Sequence, residues 1–297
     1  MPRLSIGLPV YNGENFLREA LDSILAQSFT DFELIVADNA STDGTQQICE
    51  AHAARDHRIR YYRNRANIGA AKNFNRVFAL SSGEYFKWAA HDDILAPDFL
   101  LKCIQVLDSD PGVVLCYART KIIDAGGQFL YNDNARLEVE SAKPQHRFHD
   151  LVVRRHSCFA IFGVMRSEVL KRTPLIGAYT ASDRILLGGI ALYGRFHEIP
   201  EYLFCNRNHA QRSIKAYDYR ARTAWFDPQK AGTIVFLIWR HLLEYCRLIK
   251  TAPLGRGERW QCSFVMVKWL RLNWKGLIYD FFAAAKQILG QLKMGNA

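Results

Sequence analysis

The chain lacks an apolar run long enough to cross a bilayer. Its best candidate, residues 231–239, is cut off by Arg240, far short of the ~20 residues a spanning helix needs. It lacks any Cys-x-x-Cys pair, and its seven cysteines (49, 103, 116, 158, 205, 246 and 262) are scattered and odd in number. A secreted disulfide framework is disfavoured, and a reducing, cytoplasmic setting is expected. No signal peptide is expected, because the first strand should start by Arg3. Internal repeats and low-complexity tracts are missing. No recognised nucleic-acid motif accompanies the positive charge, so nucleic acid is not an expected partner.

What is present is substantial. The 297 residues are 49% hydrophobic, enough for one large domain, or one domain with an appendage. The net charge of +10 is unevenly placed. From Arg220 onward there are 13 Lys/Arg against 4 Asp/Glu, whereas the first 219 residues carry 26 against 25. Five of the six tryptophans (225, 239, 260, 269 and 274) fall in the same basic tail.

Leu4, Ile6, Leu8 and Val10 alternate like a strand, and Phe16, Leu17, Ala20, Leu21, Ile24 and Leu25 then follow helical spacing. Residues 32–37 form a compact apolar run, the mark of a strand buried on both faces. Helices are expected over 45–52, 70–80, 97–107 and 182–192, and strands over 58–63, 85–90, 113–123 and 195–205. Residues 124–146 are polar and contain glycine, which suggests a loop over a site. The alternation of strand and helix predicts an α/β fold with a mostly parallel sheet and helices on both faces. Ligands of such sheets bind beyond the carboxyl ends of the strands, where Tyr11, Asp38 and Asp92 fall.

Several polar residues there can be read in two ways. Asp38 ends an apolar strand, where it could accept a hydrogen bond from a ligand or cap the next turn. Asn67-Ile68-Gly69 and Lys72 open a helix, which suits an anion; Lys72 could equally be a solvated charge. Asp92 and Asp93 are adjacent carboxylates that repel one another unless a cation or donors offset them. Mg²⁺ or Mn²⁺ would do so through oxygen ligands shared with substrate phosphates; a polar turn before Pro97 is the plainer reading. Asp183 opens a helix, where the dipole favours a carboxylate, or acts as a general base. Arg207-Asn208-His209, followed by Gln211, Arg212 and Ser213, offers a guanidinium and an imidazole to a diphosphate.

Taken in order, Leu8-Pro9-Val10-Tyr11-Asn12, the 38–45 segment, His91-Asp92-Asp93, Asp183 and Arg207-Asn208-His209 resemble the family 2 glycosyltransferases with the GT-A fold. The resemblance covers about residues 3–213. It implies an inverting transfer of a sugar from a nucleotide diphosphate-sugar donor to a hydroxyl, with a divalent metal, Mn or Mg. Pro9, Tyr11, Asp38, Asn67, Lys72 and Asp92 would bind the nucleotide, with Asp38 on the N3–H of a uracil-like base. Asp92, Asp93 and His209 would hold the metal. Arg207, His209 and Ser213 would hold the diphosphate, and Asp183 would deprotonate the acceptor. The chain departs from the family pattern at Ala90, where the first Asp of Asp-x-Asp-Asp would stand, and at Ser182, where a Glu precedes the base. Those departures keep open a rival, a noncatalytic module binding nucleotide or glycan. A sugar nucleotidyltransferase is disfavoured, because no Gly-rich segment followed by a basic motif lies near the first strand.

The expected organisation is a catalytic GT-A domain over 1–215, with a nucleotide-binding half (1–110) and an acceptor half (111–215), then a basic Trp-rich helical region (216–297). In that region Trp260, Phe264, Val267 and Arg271 fall at helical spacing, with Arg259, Lys268 and Lys275 between them. Such a helix suits an anionic membrane surface, or caps the enzyme core while its basic chains snorkel. A membrane location on the inner face would suit a glycan or lipid-linked acceptor of bacterial surface-polysaccharide assembly.

Overall fold

The computed structural model describes residues 1–135, 137–212, 219–230, 233 and 236–295, with backbone only at 219–221, 230 and 286–295. The expected Ser213 contact and part of the 231–239 run lie outside these residues. Among the described residues nine strands form one sheet. They are β1 (Leu4–Val10), β2 (Phe32–Asp38), β3 (Ile59–Arg63), β4 (Tyr85–Trp88), β5 (Ile94–Leu95), β6 (Val113–Ile123), β7 (Phe129–Asn132), β8 (Val164–Arg166) and β9 (Arg195–Arg207). The order is β3-β2-β1-β4-β8-β6-β9-β5, with β7 on β6. Strands β1 to β4 pair in parallel, as do β6 and β9. The three-residue β8 is wedged antiparallel between β4 and β6.

Every residue of β1 and β2 is buried. One face, with Leu4, Ile6, Leu8, Leu34 and Val36, packs against α1 (Leu17–Leu25) and α4 (Phe99–Ser109). The other, with Ile35, Ala37, Phe86 and Trp88, packs against α3 (Ala70–Ala79) and later elements. The two faces follow from the two-residue period of a strand. Gly7 sits where α3 crosses β1: a Cβ there would lie 2.5 Å from Val77. Lys87 of β4 is fully buried, and its ammonium donates to the carbonyls of Trp88 and Phe162, tying β4 to the turn before β8.

Some elements differ from the sequence-based expectation. The 124–146 segment is only partly loop: it holds β7, hairpinned onto β6, and the start of α5 (Pro144–Val153). The remaining helices are α2 (Thr45–Ala53), α6 (Ser167–Leu170), α7 (Ser182–Ile190), α8 (Tyr219–Phe226), α9 (Leu237–Thr251) and α10 (Arg256–Gly295). A third core joins Phe148, Val152, Ile185, Tyr245, Leu248, Cys262, Met266 and Trp269, so α9 and one face of α10 pack against α5 and α7. Asp280 of α10 accepts the first amides of α9, from Ile238 (2.7 Å) and Trp239 (3.3 Å), which satisfies donors a helix start leaves open. No helix among the described residues is long and apolar enough to cross a membrane.

Candidate functional site

The carboxyl ends of β1, β2, β4 and β9 converge on one polar cluster. At β1, Pro9 costs the sheet nothing. Successive residues of a parallel strand face alternate neighbours, and Gly7 bonds toward β4 while Val10 bonds toward β2. The missing Pro9 amide therefore faces the β4 side, where pairing ends at Gly7 and Trp88. Tyr11 follows, 38% exposed. Asn12 takes a left-handed φ of 50°, and the two first loops are stitched together: Asn12 N–H donates to Ser41, Thr42 N–H to Asn12, and Gly13 N–H to Thr45.

Asp38 is fully buried. It accepts Ser41 N–H (2.8 Å) and the Tyr61 hydroxyl (2.9 Å), with Arg63 Nε at 3.3 Å. Burial, then the Asp38 carboxylate, push the Tyr61 phenol far up. Capping of α2 falls instead to Asp43, which accepts Thr45 N–H at 3.0 Å.

Asn67 belongs to a web of amides. It accepts from Asn39 (2.8 Å) and from Gly69 N–H (2.9 Å); Asn64 donates to both Asn39 and Asn73; Asn73 donates to the Ala37 carbonyl (2.7 Å). The web fixes the β2–α2 and β3–α3 loops against each other. Gly69 has φ 86°, and a Cβ there would meet the Phe226 carbonyl at 2.6 Å. Lys72 is half-exposed, 4.0 Å from Asp227 in the same covering segment.

The adjacent carboxylates after β4 take different roles. Asp93 is buried and accepts Asn206 Nδ2 (2.9 and 3.2 Å) and Arg207 N–H (2.9 Å). Burial, with the Asp92 charge beside it, pushes Asp93 up to about 8. As placed, Asp93 spends its oxygens on Asn206 and the Arg207 amide and braces β9, which corrects its expected role as a metal ligand. Asp92 accepts from His209 Nε2 at 2.8 Å. Burial alone would raise it, but the His209 hydrogen bond and nearby positive charge bring it below the usual carboxylate range.

Arg207 is the second correction. Its guanidinium is buried and spoken for, donating to the carbonyls of Asp92 (3.0 Å) and Ala125 (3.0 Å) and pairing with Glu19. It lies over the Phe16 ring and clips β9 to α1 and to the hairpin of β6 and β7. It does not present itself to a diphosphate. Arg212, half-buried in the following loop, is near enough to lower both Asp92 and Asp93. His209 packs 4.6 Å from Phe16.

An ionised carboxylate only accepts, so His209 Nε2 carries the proton shared with Asp92. Nδ1 is buried and has no hydrogen-bond partner among the described residues. Among the described residues no three His, Cys, Asp or Glu side chains converge as a metal cage. Asp92 and His209 thus offer a two-donor platform. That fits Mg²⁺ or Mn²⁺, which keep waters and take phosphate oxygens as further ligands.

Asp183 lies in the first turn of α7, after Ala181 with a left-handed φ of 62°. It accepts Arg184 N–H at 2.8 Å. Beside it the hydroxyls of Thr180 and Ser182 are buried with no partner among the described residues. Burial, then Asp183, drive the Cys158 thiol far up. His241 of α9 donates to the Thr180 carbonyl (2.9 Å), so the C-terminal helices buttress this loop. Tyr61, Glu19, Asn64 and Asn206 were not singled out from sequence. Tyr61, Glu19 and Asn206 each act through a partner 23 or more residues away, and Asn64 joins Asn39, 25 residues away, to Asn73, 9 away; no local pattern announces that.

The family model described as Glycosyl transferase family 2 matches residues 5–172, more than half of the chain. An uncharacterized glycosyltransferase of Rickettsia typhi is 36% identical over 131 residues, 44% of this chain and 40% of that protein. The putative glycosyltransferase EpsE of Bacillus subtilis is 36% identical over 108 residues, 36% of this chain and 39% of that protein. The match thus spans less than half the length of these curated relatives. Among solved structures, S. aureus TarS 1-349 in complex with UDP-GlcNAc aligns with a TM-score of 0.66 at 16% identity, over 96% of this chain and 81% of that one. The mannosyltransferase PcManGT of Pyrobaculum calidifontis, in complex with GDP-Man and Mn²⁺, aligns with a TM-score of 0.52 at 18% identity, over 97% and 87%. The chain belongs to glycosyl transferase family 2 and carries its GT-A fold.

Proposed function

We propose that the protein transfers a sugar, with inversion, from a nucleotide diphosphate-sugar to an acceptor hydroxyl. The observation that carries this is the Asp92–His209 pair at the mouth of the sheet, with its unpartnered Nδ1. Pro9, Tyr11, Asp38, Asn67 and Lys72 line the nucleotide side: Tyr11 packs on the base, Asp38 receives its N3–H, and Lys72 meets a phosphate. Asp92 and His209 would hold Mg²⁺ or Mn²⁺ with the diphosphate, and Arg212 takes the diphosphate-binding role first expected of Arg207. The bound cation supplies Lewis-acid neutralisation of the leaving group. Asp183 takes the proton of the acceptor hydroxyl, whose oxygen attacks the anomeric carbon as the bond to the diphosphate breaks. Thr180 and Ser182 offer their free hydroxyls to the acceptor.

The nucleotide half is 1–110 and the acceptor half 111–215. The basic helical region beyond them suits the inner membrane surface, where the acceptor would be a lipid-linked or growing surface glycan. Titration calorimetry with UDP-, GDP- and dTDP-sugars tests the donor reading: binding should require Mn²⁺ and vanish in Asp92→Ala. Metal-independent binding, or none with any donor, overturns it. Binding without transfer or hydrolysis under any acceptor would favour the noncatalytic module, for which Ala90 and Ser182 speak.

A further inference from the structure

Helix α10 has two apolar faces, and the protein uses only one. Cys262, Met266, Trp269 and Leu277 are buried on the core side. Trp260, Phe264, Val267, Trp274, Ile278 and Phe282 lie within an arc of about 80° on the roughly opposite side, at 100° per residue. They are exposed by 70, 64, 40, 53, 46 and 69%. The stripe runs for about 33 Å at 1.5 Å per residue. A continuous apolar face of this kind marks a partner.

The charges choose the partner. Lys268, Arg271 and Lys275 lie on or beside the stripe. Its two acids do not offset them: Asp280 is buried capping α9, and Glu258 holds the Gly255 amide at the other end. A second copy would set like charges against like. An anionic lipid surface would take both the aromatics and the cations, since Trp and Phe bury at the headgroup boundary while Lys and Arg meet lipid phosphates.

We infer that the outward face of α10 lies in the interface of an anionic bilayer, with Trp260, Phe264 and Trp274 as the inserted anchors. This rests on the reading of a membrane-borne acceptor and gives it a residue-level partner. The inner face of α10 grips α5 and α9, and α9 in turn holds the Thr180 carbonyl beside Asp183. The bilayer contact is thereby tied to the acceptor side of the enzyme by packed helices.

The test is co-sedimentation of the full chain with phosphatidylglycerol-containing vesicles and with pure phosphatidylcholine vesicles, without donor. The protein should sediment with the anionic vesicles and only weakly with the neutral ones. Trp260→Ser/Phe264→Ser/Trp274→Ser should abolish binding, and Arg271→Gln/Lys275→Gln should weaken it roughly 25-fold, about fivefold for each charge. Circular dichroism and Mn²⁺-dependent donor binding should be unchanged in both variants. Failure of donor binding therefore speaks against the active-site reading, and failure of vesicle binding against this one. Equal binding of wild type and aromatic variant, no binding of wild type to anionic vesicles, or a lipid-free dimer that the aromatic variant dissolves would each overturn the inference.

Discussion

At the carboxyl edge of the sheet, polar groups are buried: Asp38, Asp93, Arg207 and His209. On the outward face of α10, apolar groups are exposed: Trp260, Phe264 and Trp274. Both invert the usual sorting by water, but they are resolved differently. Inside, nearly every inversion is matched by a named partner from elsewhere in the chain: Asp38 by Tyr61 and Arg63, Asp93 by Asn206, Arg207 by Glu19. Buried polar groups cost little once their hydrogen bonds are made. Among the described residues His209 Nδ1, Asn64 Oδ1 and Asn206 Oδ1 of this cluster are left open, and His209 Nδ1 falls where the proposed chemistry needs a ligand. On α10 no partner within the described chain covers the stripe. These unmatched groups are where we propose that ligands bind, a cation with a diphosphate in one place and a lipid surface in the other.

The comparison can be broken most severely at the site. Asp183→Asn should lower sugar transfer about 10²- to 10⁴-fold, the range of a lost general base, while calorimetry finds donor affinity unchanged. Transfer at the wild-type rate would remove Asp183 from the mechanism. Asp92→Ala should cost about 10²- to 10³-fold, as expected for losing one preorganised charge contact, and should also abolish Mn²⁺-dependent donor binding. Asp93→Asn, one residue away, should keep that binding, because Asp93 faces Asn206 and the Arg207 amide.

The two faces of α10 can be separated by stability. Trp269→Ala should cost about 3–5 kcal/mol in urea unfolding, as for other buried aromatics. Trp274→Ala, on the outer face, should leave the midpoint where it is. Equal effects would mean that the stripe is packed after all. Among the arginines, Arg207→Met should lower the melting temperature by breaking the clip between β9, α1 and the hairpin. Arg212→Met should leave melting unchanged and raise the KM for donor.

The last prediction is a pH dependence. Burial pulls the Lys87 ammonium from 10.5 down to about 7. Between those values the unfolded chain binds a proton that the folded chain has shed. Stability from this group therefore rises with pH across the window and is at its lowest below about 7. Lys87→Met should flatten that rise, seen as a smaller shift in urea midpoint between roughly pH 6 and pH 9.

Much of the fold could be read directly. The apolar run 32–37 is β2, the spacing after Phe16 is α1, and 113–123 is β6, because burial on two faces or on one stripe imprints a local period. The antiparallel β8 could not be read, since three residues carry no period and their direction depends on how the chain returns from α5. The short β5 escaped for the same reason, and β7 lies in a hairpin whose Phe129, Leu130 and Tyr131 are all exposed, so no alternation shows. Of the candidate site the positions were legible: Asp38 ends β2, Asp92 follows β4, Asp183 opens α7 and His209 follows β9, as their spacing suggested.

The sequence by itself determined the alternating α/β architecture, the positions of the acidic residues at the mouth of the sheet, and the segregation of charge and tryptophan into the tail. These are written in nearest-neighbour patterns and composition. Only the tertiary structure decided which of two adjacent aspartates is locked to β9, that Arg207 is a clip while Arg212 sits half-buried in the loop beyond it, and which side of α10 is covered. Those outcomes depend on partners such as Asn206, Glu19 and Trp269, brought together across long stretches of chain, and burial and hydrogen bonding act on distance in space, not distance in sequence.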